Sequence, residues 1–219
     1  MRLLDLFCGG GGAAMGYHRA GFDVVGIDLH DQPDYPFEFV KADALEQFPG
    51  LIADGFDAVH ASPPCQFATA YRRKGHGVGD GALNLIPQTR ELLEATGLPW
   101  IIENVEQAAA HLVDPVRLCG SSFGLDVRRH RLFESNVRLV APPCSHGWQT
   151  PRFPPATNRT NLRRTIEVGV YRIPIARQRI GMEIDWLPLE TLSQAIPPVY
   201  TEFLGRQLHA TIRAQREAA

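Results

Sequence analysis

The stretch RLLDLFCGGGGAAMGYHRAGFDVVGID, residues 2–28, reads as a buried strand, a glycine turn, a helix and a second strand in succession. RLLDLF and FDVVGID are short apolar runs of strand length, and GGAAMGYHRAG between them carries helix-compatible spacing. The glycines let backbone approach a ligand closely, and the helix start behind them offers free N–H groups and a favourable dipole. Asp28 lies 21 residues after Phe7 and ends the second strand, where a carboxylate can accept both hydroxyls of a ribose. A nicotinamide dinucleotide and S-adenosylmethionine (SAM) suit this pairing equally, and a purely structural glycine turn is the plain alternative. Asp43, in FVKADAL after a third strand, suits an adenine amino group; taken alone it reads as a helix N-cap.

The alternation continues outward from this unit. DALEQFPGLIA reads as helix, FDAVHAS as strand, LNLIPQTRELLEATG as helix and LPWIIEN as strand. Strands alternating with helices predict an α/β fold built on a doubly wound, mostly parallel sheet. Ala141 to Asn161 is rich in Pro, Thr, Asn and Arg without periodicity and predicts a long loop or a small irregular subdomain, and YTEFLGRQLHATIRAQREA closes the chain as a helix. The expected organisation is a catalytic domain over residues 1–136, a loop-rich insert over 137–172, and a segment over 173–219 that completes the domain.

With 219 residues and 44% hydrophobic content, the chain is long enough for one sizeable core. The opening apolar run is too short for a signal peptide and no stretch has the length of a membrane span, so the expectation is a cytoplasmic protein with no membrane partner. The four cysteines, Cys8, Cys65, Cys119 and Cys144, are widely spaced, and each needs explaining as packing, ligand or nucleophile. The net charge of −2 conceals an uneven distribution. From Asn136 to Arg179 the chain carries Arg138, Arg152, Arg159, Arg163, Arg164, Arg172, Arg177 and Arg179 against Glu167 alone, and Arg72-Arg73-Lys74 and Arg128-Arg129-His130-Arg131 add two basic clusters. This segregation points to a polyanionic partner, against the plainer reading of a solvated arginine-rich surface.

In HASPPCQFAT, residues 60–69, Cys65 follows a strand directly, so a parallel sheet carries it to the same carboxyl edge as the glycine turn and Asp28. Pro63 and Pro64 restrict the backbone ahead of it and suit a nucleophile held in one orientation. A lone cysteine is otherwise a packing residue. Glu103 and Asn104 end the next strand, again at that edge. Arg129 and Arg131 alternate ahead of a strand-like LF.

DLFCGGGGAAMGYHRAGF, SPPCQ, IIENV, FGLDVRRHRLFES and SQAIPPVYTEFLGRQL resemble, in that order, the motifs of the DNA cytosine-5 methyltransferases. The ordered set is far more specific than any one motif and spans most of the chain outside roughly 137–172. The resemblance implies SAM as cofactor, held by Phe7, Gly9, Gly11, Gly12, Asp28, Leu29, Asp43, Ala44, Pro64, Gln194, Ala195 and Ile196. It implies Cys65 as nucleophile, Glu103 at the cytosine N3 edge, Arg131 near the base carbonyl and Arg129 in support. DNA is the implied partner, with Gln66, Arg72, Arg73, Lys74, Arg163 and Arg164 as candidate contacts. The chain departs from the family pattern in three places: Val127 where the family has Gln, Ser193-Gln194 where it has Gly-Asn, and a short insert where it has a large recognition domain.

The chemistry requires such a set. Cytosine C5 is too weakly nucleophilic to attack a methyl sulfonium until a thiolate adds at C6. The charge that develops needs a donor at N3 and a cation at O2. The ring is inaccessible inside a duplex, so the base must be flipped out. An RNA cytosine methyltransferase and a nucleic-acid-binding relative without turnover are the alternatives; a nicotinamide oxidoreductase leaves PPCQ and ENV without a role. Cys144-Ser145-His146, with Cys119, offers two ligands at tight spacing and one distant cysteine, short of a zinc motif. Cys144 and His146 therefore read as loop residues, and no metal is expected.

Overall fold

A computed structural model of the chain describes residues 1–68, 83–150 and 163–218. Seven strands form one sheet: β1 (Arg2–Leu6), β2 (Asp23–Asp28), β3 (Glu38–Lys41), β4 (Ala58–Ala61), β5 (Trp100–Asn104), β6 (Val116–Leu118) and β7 (Arg131–Ser135). Their spatial order is β3-β2-β1-β4-β5-β7-β6. The first five strands run parallel, and β7 runs antiparallel to both β5 and β6. The fold is the expected doubly wound α/β architecture with one reversed strand. Its strand order turns at β1 and β4, where such sheets bind ligands beyond their carboxyl ends.

β1 is central because both its faces are apolar. Leu3 packs into a cluster with Tyr17, Tyr200, Leu204 and Leu208, whereas Leu4 and Leu6 pack into a second cluster with Phe48, Ile86 and Leu93. Each such leucine buries its full side chain, worth about 1.5–3 kcal/mol. The first face is covered by α1 (Gly12–Arg19) and by the closing helix, the second by α2 (Ala44–Leu51) and α3 (Ile86–Glu94). In α2, Pro49 sits in the last turn, the chain tightens into a 3₁₀ turn at Ile52–Asp54, and Gly55 at φ 83 ends it.

Two further short helices follow the insert, α4 (Ile175–Met182) and α5 (Leu189–Leu192), before the long α6 (Pro198–Ala218). α6 lies against α1 at backbone distance. A Cβ at Gly16 would stand 2.0 Å from Thr201 Oγ1 and 2.1 Å from the Pro198 carbonyl, and Thr201 Oγ1 donates to the Ala13 carbonyl at 2.8 Å. In the insert, β8 (Gln149–Thr150) and β9 (Arg163–Arg164) pair in parallel. Among the described residues, no helix is long and apolar enough to cross a membrane.

Candidate active site

The turn after β1 is held by its own backbone and by Asp28. Gly9 N–H donates to Asp28 Oδ2 at 3.1 Å and His30 N–H to Oδ1 at 2.9 Å, which fixes the carboxylate at the end of β2. Phe7 occupies the left-handed region at φ 57, which costs a non-glycine residue about 1–2 kcal/mol. Gly11, at φ 81, caps α1 and packs so tightly that a Cβ would lie 2.7 Å from Pro36 Cδ.

The C-terminal segment returns to this turn. A Cβ at Gly12 would lie 2.5 Å from the Ile196 carbonyl, and Trp186 Nε1 donates to the Gly10 carbonyl at 2.9 Å. Ile196 is buried, Ala195 half-buried and Gln194 exposed, while Leu29 beside Asp28 is 58% exposed. Asp43 acts as the N-cap of α2, with Oδ1 accepting from Leu45 and Glu46 N–H. Ala44, next to it, is buried. A carboxylate at a strand end, an open-sided glycine at position 9 and an exposed leucine fit a nucleoside; around Gly9 a Cβ would meet nothing within 4 Å.

Beyond β4, Pro63 is buried, Pro64 exposed, Cys65 half-buried and Gln66 exposed. Asn104 Nδ2 donates to the Pro63 carbonyl at 2.9 Å, so the end of β5 anchors the proline turn that carries Cys65. Next to Asn104, Glu103 is 6% exposed, with Arg131 Nε 3.0 Å from its Oε1. That contact is an ion pair by distance without hydrogen-bond alignment, and Oε1 has no hydrogen bond among the described residues. Burial raises the Glu103 carboxyl above the usual carboxylate range, opposed by Arg131, by a hydrogen bond from Ser62 and by Arg129.

Arg129 has a different task from Arg131. Its Nε donates to the Ala195 carbonyl at 2.8 Å and its terminal nitrogen to the Ser193 carbonyl at 2.7 Å. Tyr200 O–H points between the Arg128 and Arg129 carbonyls, at 3.1 and 3.0 Å. Arg129 thus holds the returning segment, at φ 38 and with its guanidinium pushed down to about 9 by burial and by Arg131. It remains charged at neutral pH.

A buried polar chain that the sequence motifs do not announce leads to Glu103. Tyr17 O–H lies 2.9 Å from His60 Nδ1, His60 Nε2 lies 2.9 Å from Ser62 Oγ, and Ser62 reaches Glu103. Burial pushes the His60 ring down to about 3, so it is neutral and one ring nitrogen donates while the other accepts. Tyr17 donating to Nδ1 leaves Nε2–H for Ser62, and the Ser62 hydroxyl proton for Glu103. HASPPC carried the signal, since His60 in β4 and Ser62 directly after it lie two residues apart in extended chain and share one side. Asp5, on β1, is fully buried with neither carboxylate oxygen hydrogen-bonded among the described residues; burial, then Asp28 and Glu103, raise it well above the usual range.

Arg72, Arg73 and Lys74 lie outside the described residues. Arg163 and Arg164 form β9. Cys144 and His146 do lie in loop and 3₁₀ segments as expected, but they converge with Cys119 and with His130, a residue whose place in the sequence does not join it to them.

The chain matches no protein-family model. It aligns over 185 residues at 26% identity with the type II methyltransferase M.AgeI of Thalassovita gelatinovora, covering 67% of this chain and 42% of that protein. Over 107 residues it is 33% identical to a probable DNA (cytosine-5)-methyltransferase of Frog virus 3 (isolate Goorha), covering 48% of this chain and 47% of the viral protein. The chain thus spans less than half the length of either relative. In fold it resembles a solved DNMT2 mutant of Spodoptera frugiperda, with TM-score 0.60 at 13% identity over 95% of this chain and 99% of that one. Strand order and edge geometry define a doubly wound, Rossmann-like α/β fold, which that structure shares. The relatives support the particular family that the ordered motifs resemble, the DNA cytosine-5 methyltransferases.

Proposed function

We propose that the chain transfers a methyl group from SAM to C5 of a flipped-out cytosine in DNA through a covalent adduct of Cys65. The observation that carries this reading is the convergence at one sheet edge of three separate motifs: Asn104 on the proline turn of Cys65, Arg131 on Glu103, and Arg129 on the segment that covers the glycine turn. Phe7, Gly9, Gly11 and Gly12 form the backbone cradle of the cofactor site. Asp28 takes the ribose hydroxyls, Leu29 packs on the adenine, and the second oxygen of Asp43 takes the adenine amino group. Ala44, Pro64, Gln194, Ala195 and Ile196 complete the walls. SAM supplies an electrophilic methyl on a sulfonium.

The Cys65 sulfur adds to C6 of the base while Glu103, whose carboxyl burial raises, donates a proton to N3, so that the C5–C6 bond becomes an enamine nucleophilic at C5. Arg131 holds O2. Methyl transfer releases S-adenosylhomocysteine; water then takes the C5 proton, the C5–C6 double bond reforms, the Cys65 thiolate leaves and the N3 proton returns to Glu103. Gln66, Arg72, Arg73, Lys74, Arg163 and Arg164 hold phosphates and the space the base vacates.

The test is incubation with methyl-labelled SAM and either DNA or RNA, followed by mapping of the labelled base. Label at C5 of cytosine in DNA, lost in Cys65→Ala with SAM affinity retained, is the expected result. DNA carrying 5-fluorocytosine should trap a covalent complex, because fluorine does not leave as a proton does. Label confined to RNA would replace the substrate assignment, and turnover in Cys65→Ala would overturn the covalent route.

A further inference from the structure

We propose that Cys119, His130, Cys144 and His146 bind a structural zinc ion that ties the insert to the arginine turn. One ligand atom from each of the four side chains lies within 4.8 Å of all the others. Cys119 Sγ is 3.3 Å from His146 Nε2, and Cys144 Sγ is 3.5 Å from His130 Nε2. Zinc bonded tetrahedrally to sulfur at about 2.3 Å and nitrogen at about 2.0–2.1 Å sets a sulfur-to-nitrogen edge of roughly 3.5 Å. The two sulfur-to-nitrogen edges match that length, and the remaining pairs, all within 4.8 Å, need only a small closing movement.

The surroundings orient these ligands. His130 Nδ1 lies 3.0 Å from Glu106 Oε2, so Nδ1–H donates to the carboxylate and the Nε2 lone pair faces the cluster, the arrangement that metal-binding imidazoles use. Ser121 Oγ accepts from Ser145 N–H at 3.0 Å and lies 3.1 Å from Cys119 Sγ, where its hydroxyl proton can donate to a thiolate. Cys119 is fully buried and the other three are half-buried, so a neutral unit of two thiolates and a divalent ion suits the depth. Four protein ligands leave no open position, which marks a structural rather than a catalytic ion. Two thiolates with two imidazoles favour zinc among the abundant divalent ions.

The ligands come from three places: the turn after β6, the residue before β7, and the loop entering the insert. His130 stands between Arg129 and Arg131. A metal at this point pins the left-handed backbone of Arg129 and connects the insert to the residues that hold Glu103 and the C-terminal segment. This inference does not depend on the reaction proposed above.

The full chain, purified under reducing conditions without chelator, should carry about one zinc by elemental mass spectrometry, as a site coupled to folding does. Cys144→Ser and His146→Ala should lose it, whereas His111→Ala, at an exposed histidine outside the cluster, should retain it. Should those variants fold poorly, cobalt settles the matter in the parent chain. Co²⁺ added to stripped protein should give the intense visible bands of a tetrahedral ion together with near-ultraviolet thiolate charge transfer. A reduced chain that takes up neither zinc nor cobalt would overturn the proposal, as would zinc content unchanged in both variants. Isolation of a Cys119–Cys144 disulfide in a metal-free, active protein would overturn it equally.

Discussion

Glu103 and Asp5 are both buried carboxyls raised above the usual range, yet they differ in what faces them. Glu103 has Arg131, Ser62 and Arg129 opposing the burial. Glu103→Gln keeps the shape but removes the transferable proton, so we expect a rate loss on the order of 10²-fold with SAM affinity little changed. A fall in SAM affinity with the chemical step intact would instead move Glu103 into the cofactor pocket. Asp5 has no cationic partner among the described residues, and Asp28 and Glu103 add to the effect of burial. Its folded form therefore holds a proton more tightly than the unfolded chain does. The contribution to stability is complete below the unfolded carboxylate range and is lost as pH rises from that range towards the raised folded value. Asp5→Asn should remove this loss, raising the urea midpoint at neutral pH and flattening its slope above the unfolded carboxylate range. Destabilisation by more than about 1 kcal/mol at neutral pH would show that the charged form is held by a native partner.

The elements show which parts of this arrangement the sequence could carry. β1, α1 and β2 were legible because strands buried on both faces are continuous apolar runs and the glycine turn between them is local chemistry. β6 was not, since Val-Arg-Leu at a sheet edge has too few residues for a pattern. The tasks of Arg129, Asn104 and Trp186 were also hidden, because each acts on a carbonyl brought close only by the fold. His130 stays apart from the other metal ligands in the sequence for the same reason: β7 must run back along β5 before it meets Cys144. Asp43 allows two roles from its sequence, and the N-cap is the one visible in the geometry. The packing of α6 on α1 yields a paired test. In Gly16→Ala the new methyl meets Thr201 and the Pro198 carbonyl, both part of α6, so the helices must separate, at a cost of about 1–3 kcal/mol by urea unfolding. Gly50→Ala in α2 meets nothing within 4 Å and should stabilise by about 0.5–1 kcal/mol. Equal effects at the two glycines would mean that α6 does not seat on α1 through this contact.

Across the whole molecule, the distribution of charge and the size of the insert bear on how the proposed DNA substrate would be read. The chain carries a net charge of −2, yet its arginines concentrate after Asn136, so under the proposed function that region would attract the polyanion more than the rest. Each good pairing with a base edge contributes roughly 1–3 kcal/mol of discrimination, but only if the side chain is held rigidly. Among the described residues of the insert, 137–172, the framework amounts to the 3₁₀ turn His146–Trp148, the two-residue strands β8 and β9 and the proposed metal clamp at its entry. Its arginines suit phosphates better than bases. We therefore expect a very short target, about two to four base pairs, because phosphate contacts position a protein without specifying sequence. Binding should weaken steeply with salt as counterions compete for those phosphates. Replacing Arg163 and Arg164 together with Ala should weaken binding alike on every sequence and reduce the salt slope by roughly one for each phosphate that is no longer neutralised. Bisulfite sequencing of a plasmid methylated by the purified chain measures the target directly. Methylation confined to a site of about six or more defined bases, without a partner protein, would show that this short insert places base-reading side chains as firmly as a far larger recognition domain does.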